Sequence, residues 1–390
     1  LTGMRGTIEK KGEGKATIDI KAIAESEGDN YIIGMEKGTI NLIGAGAADI
    51  SIEASFSKTA GEVTGMQGGT ITKEGAGVDT IDIKAIADCE YIHCGTIAHG
   101  MVEGASITMI GNDETTINIE AKGIGGNSDY CEAIGMQGSS ITIIGDGGST
   151  IGVTADINGK AAIGMQNSNI TTGGGNDFIH IIGALDNSGI DTGGGNDEVW
   201  IENDIIGGSI DLGTGDDFLM LRGILSDGVD LQGGGNEEVV QALADGGMAH
   251  LGDILGLTSN NLDNLDVGST TTIHGFEALL IELASDNQAS LDDLLHGFDN
   301  LSIKQGIGYT GGHENDDNLL VSLVLTGNSD ILDNLVRDNG TLLENAKQHS
   351  AVQIEGRPES DLYDHYVISY HDPVTNNDYN DINLYILKHA

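Results

Sequence analysis

A Gly-Met pair recurs six times between Gly3 and Met165, and this repeat restricts the fold more than any other sequence feature. The glycines of the pairs are Gly3, Gly34, Gly65, Gly100, Gly135 and Gly164, and their successive differences in residue number are 31, 31, 35, 35 and 29. Self-similarity at periods of this length is typical of solenoids, in which each unit buries its apolar face against its neighbours. The sequence therefore predicts a stack of coils.

Each unit also contains a stretch in which apolar and polar residues alternate. These stretches are residues 17–20, 49–52, 80–83, 116–119 and 150–153. Alternation at period two places Ile on one face of a strand and Thr, Asp or Asn on the other. We therefore expect two short strands per coil and an all-β, right-handed parallel β-solenoid.

A second, shorter repeat begins near residue 167. The segment Gly-Gly-Gly-Asn-Asp-Phe-Ile at 173–179 recurs with changes at 193–199, 213–219 and 233–239, always 20 residues further on. Partner strands are predicted around Ile170, Ile190, Ile210 and Val229. Each 20-residue unit is therefore expected to be a two-strand coil with tighter turns.

The glycine and acidic residues of the shorter repeat predict calcium sites. Because Gly adopts positive φ without steric cost, a glycine turn can direct several main-chain carbonyls at one point. Calcium takes six to eight oxygen ligands, which carbonyls and carboxylates supply. The predicted ligands are Gly173, Gly175, Asp177, Gly193, Gly195, Asp197, Gly213, Gly215, Asp217, Gly233, Gly235, Glu237 and, in a longer repeat, Asp79.

Segments 172–180, 192–200, 212–220 and 232–240 resemble the nonapeptide G-G-x-G-x-D-x-U-x of hemolysin-type (RTX) proteins. The resemblance implies a parallel β-roll that binds calcium in the turns between successive coils. It also implies type I secretion through a carboxy-terminal signal, and an extracellular or cell-surface location.

The chain departs from the nonapeptide at identifiable positions. The first glycine is replaced by Thr172, Thr192, Leu212 and Gln232, and Glu237 replaces the aspartate of the last copy. The corresponding positions on the opposite turns hold Ser168, Ser188, Gly208 and Asp227. We therefore expect calcium along one edge only, between Asp177 and Asp197, between Asp197 and Asp217, and between Asp217 and Glu237.

The longer repeats mostly lack the acidic position. Only the segment 75–79, Gly-Ala-Gly-Val-Asp, keeps the full motif. Residues 1–165 are therefore expected to form a largely metal-free solenoid held by its apolar interior.

The repeat classes divide the chain into four regions. Residues 1–166 are wide coils, and residues 167–245 are the calcium-binding β-roll. Residues 246–304 are degenerate coils, indicated by the related segments 273–279 and 295–301. Residues 305–390 are a smaller β-containing cap and type I secretion region, with strand-like runs at 366–370 and 382–387.

The charge balance narrows the class of partner. The chain has 61 acidic residues against 17 Lys and Arg, a formal net charge of -44. This excess disfavours nucleic acids and favours divalent cations. No apolar run approaches the roughly 20 residues of a membrane span, and no amino-terminal signal peptide is recognisable.

Three smaller features have a functional and an ordinary interpretation. The repeated Met residues suit copper(I), but a core ladder is favoured. Cys89, His93 and Cys94, with Cys131, have zinc-binding chemistry, but buried or loop cysteines are the default. The tripeptide His371-Asp372-Pro373 is favoured as a turn rather than a catalytic motif.

These features favour a secreted structural or adhesive protein, such as an S-layer subunit, a filament or matrix subunit, or an adhesin, and not an enzyme. The alternative is the repeat part of an extracellular polysaccharide-acting enzyme or an RTX toxin. Catalysis on acidic sugars normally uses a base and cationic groups in one groove, and Lys and Arg are sparse here. Because Leu1 enters the repeat in mid-motif, we expect further coils upstream or self-association into a filament or lattice.

Overall fold

The computed structural model describes residues 1–24, 30–44, 46–57, 61–89, 96–125, 131–158, 160–226, 228–234, 248–249, 251–258, 271–276, 278–283, 322–326, 347–348, 351, 353–354, 362–371 and 378–388. Every regular element in these ranges is a β-strand, which confirms the all-β prediction. The chain divides into two compact units, residues 1–212 and 213–390. The boundaries at residues 166, 245 and 304 separate classes of repeat and stay predictions.

The first unit is a parallel β-solenoid. Its strands are β1 (Thr2–Met4), β2 (Thr7–Lys11), β3 (Ala16–Ala24), β4 (Asn30–Glu36), β5 (Thr39–Ile43), β6 (Ala48–Ser57), β7 (Gly61–Gln67), β8 (Thr70–Glu74), β9 (Asp79–Cys89), β10 (Thr96–Val102), β11 (Ser106–Ile110), β12 (Thr115–Gly125), β13 (Glu132–Gln137), β14 (Ser140–Ile144), β15 (Ser149–Ile157), β16 (Lys160–Ala161), β17 (Ile163–Gln166), β18 (Asn169–Thr171), β19 (Phe178–Ile182), β20 (Ala184–Asp191), β21 (Glu198–Ile201) and β22 (Ile205–Asp211).

These strands form two sheets whose neighbours are successive coils. One sheet runs β1-β4-β7-β10-β13-β17-β20 and returns through β18-β14-β11-β8-β5-β2, with β22 beside β20. The other runs β3-β6-β9-β12-β15-β19-β21. Pairing is parallel throughout except for the short β16, which is antiparallel to β15. The fold predicted from the repeats is therefore confirmed.

The wide coils contain three strands each, so the prediction of two was wrong for them. The Gly-Met strand and the following Ile strand are separate because the chain turns two residues after each Met. Residues with left-handed φ of 48–57° make this turn, namely Lys37, Gly68, Glu103, Gly138 and Asn167. In the 20-residue coils, β20 pairs with both β17 and β18, and the predicted two-strand coil is found.

The Gly-Met pair holds the two sheets together. The Met side chains stack in register, Met66 between Met35 and Met101, and all three are fully buried. A Cβ added to Gly100 would lie 2.4 Å from Gly135 O and 2.4 Å from Ile119 Cγ2 of the opposite sheet. Only glycine permits this approach. The interpretation of the Met residues as core is thus confirmed.

The interior is filled by the alternating residues of the long strands. Ile81, Ile83, Ile117 and Ile119 are at most 1% exposed, and the first two lie in register with the last two, which belong to the next coil. Burying a side chain of this size contributes roughly 1.5–3 kcal/mol. One buried cluster with members from both sheets consists mostly of alanines, including Ala54, Ala85, Ala121, Ala98 and Ala133.

The second unit contains β23 (Phe218–Leu221), β24 (Val229–Gln232), β25 (Met248–Ala249), β26 (Ile254–Thr258), β27 (Thr272–His274), β28 (Ala278–Glu282), β29 (Ser322–Thr326), β30 (Lys347–Gln348), β31 (Gln353–Ile354), β32 (Leu362–His371) and β33 (Asp378–Lys388). Its main sheet runs β23-β26-β28-β29-β33-β32-β30, and smaller pairings join β24 to β27 and β25 to β31.

The sequence-predicted strands of this unit are present where the structure describes them. Segment 273–279 contributes to β27 and β28, whereas segment 295–301 lies outside the described residues. The runs 366–370 and 382–387 lie in β32 and β33, an antiparallel pair that continues the main sheet through β29. No helix in the described ranges is long and apolar enough to cross a bilayer.

Candidate calcium-binding turns

One position of every coil precedes the long inward-facing strand, and the predicted carboxylates occupy it. We call this position the turn column. In the first unit it holds Ala16, Ala48, Asp79, Thr115, Ser149, Asp177 and Asp197, aligned by the parallel register. All seven residues are buried. Asp177 and Asp197 therefore occupy the same place in consecutive coils.

Each carboxylate of the turn column accepts a hydrogen bond from the main chain of the preceding coil. Ser149 N donates to Asp177 Oδ1 at 2.6 Å, and Asp177 N donates to Asp197 Oδ1 at 2.8 Å. Ala48 N donates to Asp79 Oδ1 at 2.7 Å. One oxygen of each aspartate thus satisfies a buried amide that would otherwise have no partner.

The second carboxylate oxygen distinguishes Asp177 from an ordinary capping residue. Asp177 Oδ2 is buried and accepts no hydrogen bond among the described residues. Burial raises the pKa of Asp177, and the neighbouring Thr172 hydroxyl and Ser149 offset this only in part. Burial likewise raises the pKa of Asp197 to about 7. Because a buried carboxylate is costly unless it is paired, this oxygen favours a bound cation or a proton.

The glycine turns stack so closely that no side chain fits between them. A Cβ on Gly173 would lie 2.0 Å from Gly145 O, and one on Gly193 would lie 2.3 Å from Gly173 O. A Cβ on Gly195 would lie 2.5 Å from Gly175 O, and both Gly193 and Gly195 have positive φ. The glycine turns therefore stack directly on one another at the edge that carries the turn-column carboxylates, and carbonyl and carboxylate oxygens are the donor types that a hard cation such as calcium takes.

Hydroxyls replace carboxylates on the opposite edge of the same coils. Ser139 N donates to Ser168 Oγ and Ser168 N donates to Ser188 Oγ, both at 3.2 Å. The two hydroxyls donate in turn to Gln166 O and Asp186 O. This edge satisfies its buried amides with neutral groups. Gly208 continues this position beside Ser188, and Asp227 lies outside the described residues.

The second unit has its own pair of stacked aspartates, one of which is not predicted by the repeat. Asp217 N donates to Asp253 Oδ1 at 2.8 Å, and both residues are buried. Asp253 lies 36 residues after Asp217, whereas the repeat predicted Glu237, one period after Asp217. Glu237 and Gly235 lie outside the described residues. The signal for Asp253 is the sequence Gly252-Asp253-Ile254-Leu255, which keeps only the end of the nonapeptide.

Glycine main chain surrounds Asp253. Asp253 Oδ2 lies 3.0 Å from a Cβ placed on Gly233 and 3.4 Å from one placed on Gly234. The Cβ on Gly233 would also lie 2.0 Å from Gly275 O, and the Cβ on Gly234 would lie 2.0 Å from Gly213 O. Gly213 and Gly215 adopt positive φ. Gly213 and Gly233 were predicted from the sequence as calcium ligands. They lie near Asp253, which was not predicted.

Asp79 differs from the other aspartates because a lysine accompanies it. Lys73 Nζ lies 3.6 Å from Asp79 Oδ2, and the side chains are only 3% and 5% exposed. Burial raises the pKa of Asp79, while the Ala48 amide and the Lys73 charge lower it in part. The turn predicted from its sequence to hold calcium thus contains an ammonium group.

The transition-metal alternative finds no support at Cys89, which is buried and disulfide-bonded. Cys131 carries a thiol whose Sγ lies 3.8 Å from Gly125 O. His93, Cys94, Asp372 and Pro373 lie outside the described residues, and His371 ends β32. Within the described ranges no group of three or more His, Cys, Asp or Glu side chains lies together as a metal site.

No family model, curated protein or solved structure matches the chain. Its class follows from the structure, which is a parallel β-solenoid compatible with an RTX-like β-roll.

Proposed function

We propose that this chain is a secreted, calcium-binding structural or adhesive protein of the RTX kind. The observation that carries the calcium proposal is Asp177 Oδ2, a buried carboxylate oxygen that accepts no hydrogen bond among the described residues, beside stacked glycine turns. Gly173, Gly175, Asp177, Gly193, Gly195 and Asp197 would supply the first unit's ligands. Asp217, Asp253, Gly213 and Gly233 would do the same in the second unit.

Calcium fits these turns better than other common metal ions. Carboxylate and carbonyl oxygens without nitrogen or sulfur ligands select hard cations. Calcium accepts irregular geometry, whereas magnesium demands a near-ideal octahedron. Extracellular calcium modules have dissociation constants of about 10⁻⁴–10⁻³ M, and because affinity depends on the number of charged ligands, a site with two carboxylates is expected in this weak range.

Calcium binding would couple folding to the extracellular environment. The formal net charge of -44 opposes compaction until cations bind. A metal site that exists only in the folded state contributes its binding free energy to folding. The 20-residue coils would therefore be unformed while the chain passes through a type I exporter, and they would fold outside the cell.

The experiment is a calcium titration of the full chain by isothermal calorimetry, with the variant Asp177→Asn/Asp197→Asn. We expect the wild-type chain to bind calcium with millimolar or tighter affinity and the variant to lose at least one site. Ser168→Ala/Ser188→Ala on the opposite edge is the matched control and should keep the wild-type stoichiometry. Absence of calcium binding by the wild-type chain at about 10 mM calcium, roughly ten times the upper end of the extracellular range, would refute the proposal.

Self-association is part of the proposed structural role. Each coil of the first unit pairs with its neighbours through parallel strands, and a second copy of the chain could add coils to such a stack in the same way. Unpaired strand edges are templates for another chain. Light scattering in calcium should detect assemblies larger than a monomer, and a monomer at every concentration would exclude this part. We assign no catalytic residue.

A further inference from the structure

The ammonium group of Lys73 occupies the interior of a glycine turn. Nζ donates to Gly75 O at 2.9 Å and to Ala76 O at 3.2 Å within its own turn. It also donates to Gly44 O of the preceding coil at 3.4 Å. With Asp79 Oδ2 at 3.6 Å, four oxygens from two coils surround one positive charge.

This donor set is the one expected for calcium in the shorter repeat. It combines turn carbonyls of two consecutive coils with the carboxylate of the turn column. Asp79 Oδ1 meanwhile caps Ala48 N, as Asp197 Oδ1 caps Asp177 N. The two turns thus share their hydrogen bonding and differ in what faces the second carboxylate oxygen.

In the two adjacent coils, uncharged residues stand at the positions of both Lys73 and Asp79. In register with Lys73 lie Leu42 on one side and Met109 on the other. The turn column of those two coils holds Ala48 and Thr115, which carry no charge. Leu42 and Met109 thus occur in coils whose turn column is uncharged, whereas Lys73 occurs in the coil whose turn column holds a buried carboxylate.

We infer that Lys73 is a built-in cation that replaces calcium in the Asp79 turn, so that removing its charge creates a calcium site there. As regards calcium, this inference rests on the proposed function. Asp79, Gly44, Gly75 and Ala76 would supply the protein ligands of the new site, and water would complete the six to eight oxygens that calcium takes.

The test compares Lys73→Met with the wild-type full chain by calcium stoichiometry and by thermal unfolding. Lys73→Met should bind one more calcium ion than wild type. When a chelator removes calcium, the Tm of Lys73→Met should fall by about 10 °C, because an unpaired buried carboxylate is strongly destabilising. Calcium at millimolar concentration should restore most of that loss.

Two control variants isolate the lysine and aspartate pair. Lys10→Met removes a lysine in the same register that donates to Gly14 O in a coil whose turn column holds Ala16, so it should add no calcium site. Lys73→Met/Asp79→Thr copies the Met109 and Thr115 combination of the next coil. It should fold, with the wild-type stoichiometry.

The outcomes separate this inference from the proposed function. A wild-type chain without calcium sites refutes the proposed function, but a calcium ion gained by Lys73→Met would still support the Lys73 inference. An unchanged stoichiometry in Lys73→Met overturns the inference alone. It is also overturned if Lys73→Met is unfolded with and without calcium while Lys73→Met/Asp79→Thr folds, because calcium then cannot replace the lysine.

Discussion

Asp197 Oδ1 accepts a 2.8 Å hydrogen bond from the main-chain amide of Asp177, the residue at the same position of the preceding coil. The carboxylate therefore has a structural role that is independent of any metal ion. Asparagine keeps the accepting oxygen and removes the charge, whereas alanine removes both. The two substitutions separate capping from calcium binding.

We expect Asp197→Ala and Asp197→Asn both to lose calcium affinity at the site that Asp177 and Asp197 share. In chelator, Asp197→Ala should be less stable by about 1–3 kcal/mol, because Asp177 N is left without an acceptor. Asp197→Asn should be at least as stable as wild type in chelator, because a buried charge is removed. Urea unfolding with and without calcium measures both effects. Equal destabilisation by the two substitutions would contradict this division of roles.

The stability of the calcium-free chain should depend on pH between about 4 and 7. Burial raises the folded-state pKa of Asp197 from 3.8 to about 7, and that of Asp177 also rises. In this window the folded chain keeps a proton that the unfolded chain releases, so stability falls as pH rises. The fall attributable to Asp197 is at most about 4 kcal/mol.

Urea midpoints in chelator at pH 5, 6, 7 and 8 measure this dependence. Asp197→Asn should show a shallower decline because it cannot titrate. Since calcium competes with the proton, the calcium affinity of the wild-type chain should rise through the same window. A wild-type stability that increases from pH 5 to pH 7 in chelator would show that the sign is wrong.

Removing calcium should affect the two kinds of coil differently. The turn column of the 20-residue coils holds the buried carboxylates of Asp177 and Asp197. The turn column of the wide coils is uncharged except at Asp79, where Lys73 lies beside the carboxylate. Hydrogen exchange in chelator should therefore become fast in β19 and β21 and remain slow in β9 and β12. Equal loss of protection in all four strands would count against a calcium-dependent extension of a metal-free solenoid.

The serine edge provides a prediction that does not involve calcium. Ser188→Ala removes the acceptor of Ser168 N and the donor to Asp186 O. The cost should be about 1–3 kcal/mol, because a buried amide loses its partner. Unlike the Asp197 substitutions, Ser188→Ala should have the same effect in calcium and in chelator. Thermal unfolding in both conditions provides the comparison.

Much of the solenoid could be predicted from the sequence because its order is local and repeated. Period-two alternation identified the inward Ile residues, and the spacing of the Gly-Met pairs identified the coils. The third strand was missed although Gly68, Gly138 and Asn167 occupy the turn before it, because the other copies of the turn use Lys37 and Glu103, residues that seldom adopt the left-handed conformation found here.

Part of the candidate site could not be predicted, because the missing contacts are not local in the sequence. Lys73 precedes its turn and is recognisable as a partner of Asp79 only when the side chain is seen inside the turn. Asp253 follows Asp217 in space although the chain between them is longer than one period of the repeat. The constant spacing of the repeat therefore predicts Glu237 at this position.

The last prediction concerns the glycine of the Gly-Met pair. Gly100→Ala would place a Cβ 2.4 Å from both Gly135 O and Ile119 Cγ2, and the main-chain oxygen cannot move without breaking a parallel ladder. We expect a loss of about 3 kcal/mol from overpacking, measurable as a lower urea midpoint.

Gly138→Asn is the matched control, because Gly138 has φ of 57° and no neighbour within 4 Å of an added Cβ. Asn167 adopts φ of 48° at the same position of the next coil, so this change should stay within about 0.5 kcal/mol of wild type. If Gly100→Ala were equally mild, the close approach of the two sheets would not be what requires glycine, and the Gly-Met repeat would need another explanation.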